Sequence, residues 1–195
     1  MAPVNGSIYS FILICSFAIL WCKHYNEIIR FAGEETLAKN VVTVHWGECN
    51  YKGMSALRSI GFKCLVAYFT YYDNKPLASF CFPTDLVDHV NTRDFWVNTD
   101  DDLLFGRTDI VLNQVKNEDL LARLEEIKSD PHISGFMELM IHEQYFYETY
   151  KYYKPDFTDV VLNSAKWAYE NGYKPVFMEE LLKKTSDCSQ KVLSS

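Results

Sequence analysis

Two stretches of the sequence share the order of residues that a parallel β-sheet needs at the end of a helix. The segments SIGFKCLV and ENGYKPVF both run from a predicted helix through a glycine, an aromatic residue and a lysine into a predicted strand. Glycine at this place allows the left-handed backbone conformation that ends a helix before the chain turns into a strand. The repeated junction predicts helices that alternate with parallel strands, as in an α/β sheet or barrel.

The pattern of apolar residues predicts the individual elements. Continuous apolar and β-branched runs predict strands that are buried on both faces. Apolar stripes bounded by polar residues or glycine predict the helices. The predicted order is strand 41–45, helix 51–60, strand 63–69, helix within 117–131, strand 136–142, helix within 157–172, strand 174–178 and a closing helix at 179–184.

The interval from about 71 to 108 does not follow this alternation of strands and helices. DNKP predicts a turn, LASFCFP a strand, and NTDDDLLFGRTDIVL an acidic turn that leads into one or two further strands. The aspartates at 100–102 lack the spacing of an EF-hand loop, so a solvated turn is expected there. The predicted fold class is α/β, a partial or deformed (β/α) barrel with parallel strands and an irregular insertion at about 71–108.

The first 24 residues have a different character from the rest of the chain. An apolar run of about 15 residues extends from Ile8 to Cys22, which is short for a membrane span of about 20. No lysine or arginine precedes Lys23, so a cleaved secretory signal is not expected. The segment is predicted to be an ordered hydrophobic element or a membrane anchor. The predicted division is 1–24 hydrophobic segment, 25–184 one α/β domain and 185–195 tail.

Charge and cysteine content restrict the partners and the compartment. The net charge of −7 comes without a basic stripe, so nucleic acid is not expected as a partner. The six cysteines form no C-x-x-C pair, which is typical of small core residues in a reducing compartment rather than of disulfides or a zinc site. A cytoplasmic location is therefore favoured over a membrane-anchored one.

Two histidines follow predicted strands at the end where ligands bind in parallel α/β folds. His45 ends the first strand and is followed by Trp46 and Glu48; His142 ends the strand 136–142 and is followed by Glu143. Histidines with nearby carboxylates can bind a divalent metal or act as acids and bases. The alternative is that each histidine is a hydrogen-bonded surface residue at a strand end.

The loop after His142 is rich in aromatic side chains, among them Tyr145 and Tyr147. Flat rings with hydroxyl groups suit polyhydroxylated ligands such as sugars, which present both C–H faces and hydrogen-bonding groups. The alternative is that the tyrosines pack against neighbouring loops.

The strings LMIHEQYF, NGYKPVFMEEL, EIIRFAGEETL and TVHWGE resemble the polysaccharide deacetylase (NodB-homology) family, in a divergent bacterial branch. The resemblance covers about Tyr25 to Leu182. It implies a deformed (β/α) barrel and a divalent metal, usually zinc, used to remove acetyl groups from N-acetylated sugars. LMIH is similar to the late Leu-x-His motif of the family, with Met140 at the leucine position, and this similarity implies that His142 is the general acid.

The resemblance implies further site residues. His45 and Glu48 are the candidate metal ligands, Glu143 accompanies His142 as a catalytic candidate, and Trp46, Tyr145 and Tyr147 are the candidate sugar contacts. The family's earlier catalytic aspartate and His-x-x-x-His motif are not found here. The resemblance therefore implies a domain that lacks its N-terminal part.

The expected function is that of a metal-dependent hydrolase acting on the carbon–nitrogen amide bond of an N-acetylated glycan. One alternative, favoured by the missing motifs, is a non-catalytic carbohydrate-binding or interaction domain without a cofactor. A second alternative is a membrane-tethered protein held by residues 8–22.

Overall fold

A computed structural model describes residues 25–38, 40–44, 47–77, 79–180 and 182. The predictions for residues 1–24, for His45 and Trp46 and for the tail lie outside these described residues. The helices are α1 (25–32), α2 (Tyr51–Ser59), α3 (Thr84–Asn91), α4 (Asn117–Ser129) and α5 (Phe157–Glu170). The strands are β1 (Val41–Thr43), β2 (Cys64–Ala67), β3 (Thr70–Tyr72), β4 (Lys75–Leu77), β5 (Phe95–Asn98), β6 (Leu103–Arg107), β7 (Ile110–Val111) and β8 (Leu139–Met140).

The main sheet has the strand order β1-β2-β6-β5. β1, β2 and β6 are parallel, whereas β5 runs antiparallel to β6. β7 and β8 form a second parallel pair, and β3 and β4 form an antiparallel hairpin. The predicted α/β class with parallel strands is thus confirmed, but the sheet is mixed, and the described residues form no closed barrel.

The chain from β6 into β7 links the main sheet to the second parallel pair. On one side the Thr108 backbone N–H donates to the Ala67 carbonyl at 3.0 Å. On the other side the Asp109 N–H donates to the Glu138 carbonyl, also at 3.0 Å. β1, β2 and β6 therefore end toward one edge of the main sheet, and β7 and β8 end toward one edge of their own pair, because each is parallel to its neighbour.

Two groups of buried side chains hold these elements together. All four residues of β2 are buried, and Leu65 packs with Phe105 of β6 and with Leu57 of α2. The second group joins α4 and α5, where Leu124 and Phe157 have no exposed surface. Helix α4 thereby packs with Ile110 of β7 and Leu139 of β8.

The glycines of the two repeated junctions adopt the conformation that the sequence predicts. Gly61 has φ 106° and Gly172 has φ 82°, and each follows the C-terminal end of a helix. After Gly61 the chain enters β2 as predicted, with Phe62 buried.

The predicted strand at 174–178 is wrong. Residues 173–177 form no strand, and residues 178–180 are helical. Pro175 has no backbone N–H to donate to a ladder, which weakens this stretch as a strand. Instead, side-chain packing holds the segment, because Met178 contacts the buried group of Cys64, Val66 and Leu104.

Three other predicted elements need correction. The strand at 136–142 is limited to Leu139–Met140, because Glu138 and its neighbours bond to side chains and to the β6–β7 connection instead of to a long ladder. In the predicted strand LASFCFP, Leu77 ends β4 and Ser79–Cys81 form a 3₁₀ turn with positive φ angles. The interval 71–108 also contains α3, β5 and β6, so it supplies a central strand of the sheet and is only partly irregular.

Within the described residues, no helix combines the length and the apolar character needed to cross a membrane.

Candidate functional site

A cleft of about 440 Å³ lies at the carboxyl ends of the parallel strands. This is the edge at which parallel α/β folds bind ligands, because the loops that follow the strands converge there. Its described lining comes from β1, the end of β2, β7 and its following turn, and β8 with its flanking residues: Thr43, Tyr68, Val111, Gln114, Glu138, Leu139, Met140, Ile141 and His142. The structure therefore places His142 where the sequence predicts a site.

The His142 imidazole is oriented by Asn113. Asn113 lies in the 3₁₀ turn Leu112–Gln114 that follows β7, and its Oδ1 is 2.7 Å from His142 Nδ1. An amide oxygen can only accept a hydrogen bond, so in this arrangement Nδ1 carries the proton. Nε2 is then the nitrogen that is left to exchange a proton with a ligand.

Lys154 ties the loop after β8 to the turn after β7. Its Nζ donates to the backbone carbonyls of Asn113 at 3.1 Å and Val115 at 3.0 Å. Its own backbone N–H donates to the Tyr145 carbonyl, and the Tyr145 N–H donates to the His142 carbonyl. His142 is therefore held by both its side chain and its backbone, which limits its movement at the cleft.

Glu138 is a lining residue that the sequence reasoning missed. Its Oε2 is enclosed and has no hydrogen-bond partner among the described residues. Burial raises the pKa of the Glu138 carboxyl, and the facing Thr108 hydroxyl opposes that rise without reaching hydrogen-bond geometry. The available signal was a single acidic residue within the otherwise apolar run FMELMI.

Two aspartates accept backbone N–H groups of the segment that carries Glu138. Asp109, whose side chain is 2% exposed, pairs with Arg107 and accepts the Glu138 backbone N–H at 2.9 Å. Asp94 accepts the Phe136 N–H at 3.0 Å. Burial raises the pKa of Asp109 to about 7 although Arg107 acts to lower it, and burial also raises the pKa of Asp94.

The other predicted residues lie around the cleft without lining its described part. Glu143 is exposed and begins the 3₁₀ turn Glu143–Phe146. Tyr145 is half-buried, with its ring 5.2 Å from that of Tyr150 and 5.9 Å from that of Phe157. Tyr147 is 60% exposed. Tyr145 thus has the packing role that was the alternative for the tyrosines, whereas the ring of Tyr147 is accessible.

The predicted metal ligands are not brought together by the described residues. Glu48 is exposed in the segment before α2, and His45 lies outside the description. No three histidine, cysteine, aspartate or glutamate side chains converge as metal ligands in the described part of the chain.

Comparison of the chain with protein-family models, with curated proteins and with solved structures finds no match.

Proposed function

We propose that this protein is a carbohydrate-active hydrolase of the deacetylase type, with the cleft as its substrate site and His142 as its general acid. The observation that carries the proposal is the position of His142 in the cleft at the strand ends, with Nδ1 engaged by Asn113. A proton-transfer group needs this combination of access and fixed orientation.

The mixed lining of the cleft supports a sugar as the ligand. Hydroxyl groups of Thr43 and Tyr68 and the amide of Gln114 can exchange hydrogen bonds with sugar hydroxyls. Val111 and Leu139 provide apolar surface for the C–H faces of a ring. The volume lies in the range of small-molecule sites, and few polar groups within an apolar wall are typical of such sites.

The role of His142 in amide hydrolysis follows from its geometry. Water adds to the acetyl carbon while His142 Nε2 takes the proton that this water loses, and the C–N bond then breaks as the nitrogen takes that proton from Nε2. The products are acetate and the free amine, and His142 returns to the form with a proton on Nδ1 alone. Asn113 keeps the ring in one orientation while Nε2 loses and regains its proton.

The experiment measures acetate release from an N-acetylglucosamine trisaccharide, with and without added zinc. We expect His142→Ala to lower the rate about 10²–10⁴-fold, as removal of a general acid typically does, with an unchanged thermal melt. His132→Ala is the matched control, because His132 is exposed in a turn and does not line the cleft. No acetate release by the unaltered protein, or equal rates for the two variants, would contradict the proposal.

A second candidate is a carbohydrate-binding domain without catalysis. The partner of His142 is the amide of Asn113, which has no charge to stabilise a protonated imidazole as a carboxylate would. Binding of the trisaccharide with no acetate release, retained in His142→Ala, would favour this candidate.

A further inference from the structure

A row of aromatic rings leads from the cleft to the surface of the loop after β8. The ring of His142, which lines the cleft, has its centre 6.3 Å from that of Tyr145. The ring centres of Tyr145 and Tyr150 are 5.2 Å apart, and those of Tyr150 and Tyr152 are 5.8 Å apart, with each pair of rings edge to face. Tyr152 is 56% exposed. The row therefore connects a residue of the cleft to a residue at the surface.

The backbone and the core hold these rings in place. The Tyr150 N–H donates to the Tyr147 carbonyl at 2.9 Å, and the Tyr153 N–H donates to the Tyr150 carbonyl at 3.0 Å. The Tyr145 ring has its centre 5.9 Å from that of Phe157, which is fully buried. Aromatic side chains that are already ordered lose little conformational entropy when a ligand binds. Packing thus accounts for the inner end of the row, whereas the outer end is ordered and still accessible.

The outer end of the row has the chemistry of a sugar contact. Each ring after His142 belongs to a tyrosine, which combines an apolar face with a hydroxyl group, and this favours a polyhydroxylated ligand over a purely apolar one. Lys151 Nζ lies 4.9 Å from the centre of the Tyr152 ring and supplies a further hydrogen-bond donor. The 56% exposure of Tyr152 is what remains with this lysine in place, so the tyrosine is open to a ligand.

The size of the cleft leaves part of a long ligand outside it. Its volume of about 440 Å³ is toward the lower end of the range of about 300–1,000 Å³ for small-molecule sites. A long glycan chain does not fit within this volume, so its remaining units lie on the surface around the cleft. The aromatic row is a surface of this kind, because it begins at His142.

We infer that Tyr150 and Tyr152 form a subsite for further sugar units of a glycan chain whose reacting unit lies at His142. The tyrosine rings contact the C–H faces of these units, and the hydroxyl groups exchange hydrogen bonds with them. The inference rests on the proposed carbohydrate ligand and deepens it, since the substrate is then a polymeric glycan and not a short oligosaccharide. Neutral N-acetylated units suit this subsite, as the proposed hydrolysis requires.

The test compares the disaccharide and the hexasaccharide of N-acetylglucosamine by titration calorimetry. We expect the unaltered protein to bind the hexasaccharide at least about tenfold more tightly. Tyr152→Ala should weaken binding of the hexasaccharide about three- to tenfold and leave binding of the disaccharide unchanged. A hexasaccharide has more ways to place a unit in the cleft than a disaccharide, and the comparison with Tyr152→Ala removes this statistical effect.

Two further variants separate the flat ring from the other properties of Tyr152. Tyr152→Phe keeps the ring and should retain most of the preference, whereas Tyr152→Leu keeps apolar bulk without the ring and should lose it. Tyr169→Ala is the matched control and should retain the full preference. Tyr169 is 83% exposed but lies near the far end of α5, about 18 Å along the helix from Phe157.

Equal affinity for the two sugars, no binding of either, or a preference unchanged in Tyr152→Ala would each overturn the inference, as would an equal loss in Tyr169→Ala. If Tyr152→Ala does not fold, Tyr152→Leu decides in its place. Acetate release is measured separately. Acetate release without a chain-length preference would sustain the proposed function and overturn the subsite. A preference that depends on Tyr152, without acetate release, would sustain the subsite and contradict the hydrolase.

Discussion

His142 and Asn113 are 29 residues apart in the sequence and are joined by a hydrogen bond of 2.7 Å between Nδ1 and Oδ1. Each residue comes shortly after one strand of the parallel pair β7–β8. The contact therefore couples the orientation of the imidazole to the pairing of these two strands.

Asn113→Leu should lower kcat of the proposed hydrolysis on the order of tenfold with little change in KM. The imidazole loses the acceptor that orients it, and loss of such orienting partners costs about 10–100-fold in related settings. Asn113→Asp keeps an acceptor oxygen and should restore most of the rate. Steady-state kinetics of both variants give the answer, and an equal loss in both would show that the amide itself, not its acceptor oxygen, is required.

Lys154→Met should destabilise the protein by about 2 kcal/mol. The substitution removes two hydrogen bonds from a charged donor and leaves the Asn113 and Val115 carbonyls without these partners. Lys52→Met is the control, because Lys52 is exposed on α2 and should change stability by less than about 0.5 kcal/mol. Urea unfolding of the two variants measures the difference. Equal unfolding midpoints would mean that the Lys154 bonds contribute nothing net.

Phe157→Ala should cost about 3–5 kcal/mol of unfolding free energy, because Phe157, the first residue of α5, is fully buried against α4 and the rings of Tyr145 and Phe146. Leu139→Ala should cost less than about 2 kcal/mol, because Leu139 is only half-buried although it lies in β8. Chemical denaturation of both variants shows which substitution lowers the free energy of unfolding more. A larger loss for Leu139→Ala would show that burial does not rank the contributions of these two positions to stability.

Stability should decrease as the pH rises from about 4 to about 7. The pKa of Asp109 is raised from 3.8 to about 7, so folding favours its protonated form. That contribution is fully present below the unfolded pKa and is lost as the pH rises through the folded value, with an upper limit of about 4 kcal/mol. The raised pKa of Asp94 and that of Glu138 act in the same direction.

Asp109→Asn should weaken the dependence of stability on pH. Asparagine cannot ionise, but its side-chain oxygen can still accept the Glu138 N–H. Asp119→Asn, at an exposed position of α4, should leave it unchanged. Thermal melts across the pH range compare the three proteins, and identical slopes for the unaltered protein and Asp109→Asn would rule out Asp109 as the titrating group.

Several features of the fold could be predicted from the sequence because they depend on neighbouring residues. The continuous apolar run at 64–67 is a strand buried on both faces, and Leu120 and Leu124 lie on the buried face of α4. Gly61 ends its helix with a positive φ, as the junction pattern predicts. The position of His142 beyond a strand end also followed from the local pattern.

The segment 173–178 shows where local pattern was insufficient. Its apolar residues predict a strand, but a strand requires a partner whose free edge can accept it, and Met178 contacts the buried side chains of the sheet instead. The periodicity of the sequence indicates which side chains are buried. It does not indicate which strand has a free edge for backbone pairing.

The sequence by itself determined the alternation of strands and helices and the placement of His142 at a strand end, since both depend on residues within one element. Only the tertiary structure decided that Asn113 would orient His142, that Arg107 would pair with Asp109, and that the Glu138 carboxyl would face Thr108 at the cleft. The physical reason is that a polar or charged group finds its hydrogen-bond or ion-pair partner on residues far away in the chain. Only folding brings these residues together.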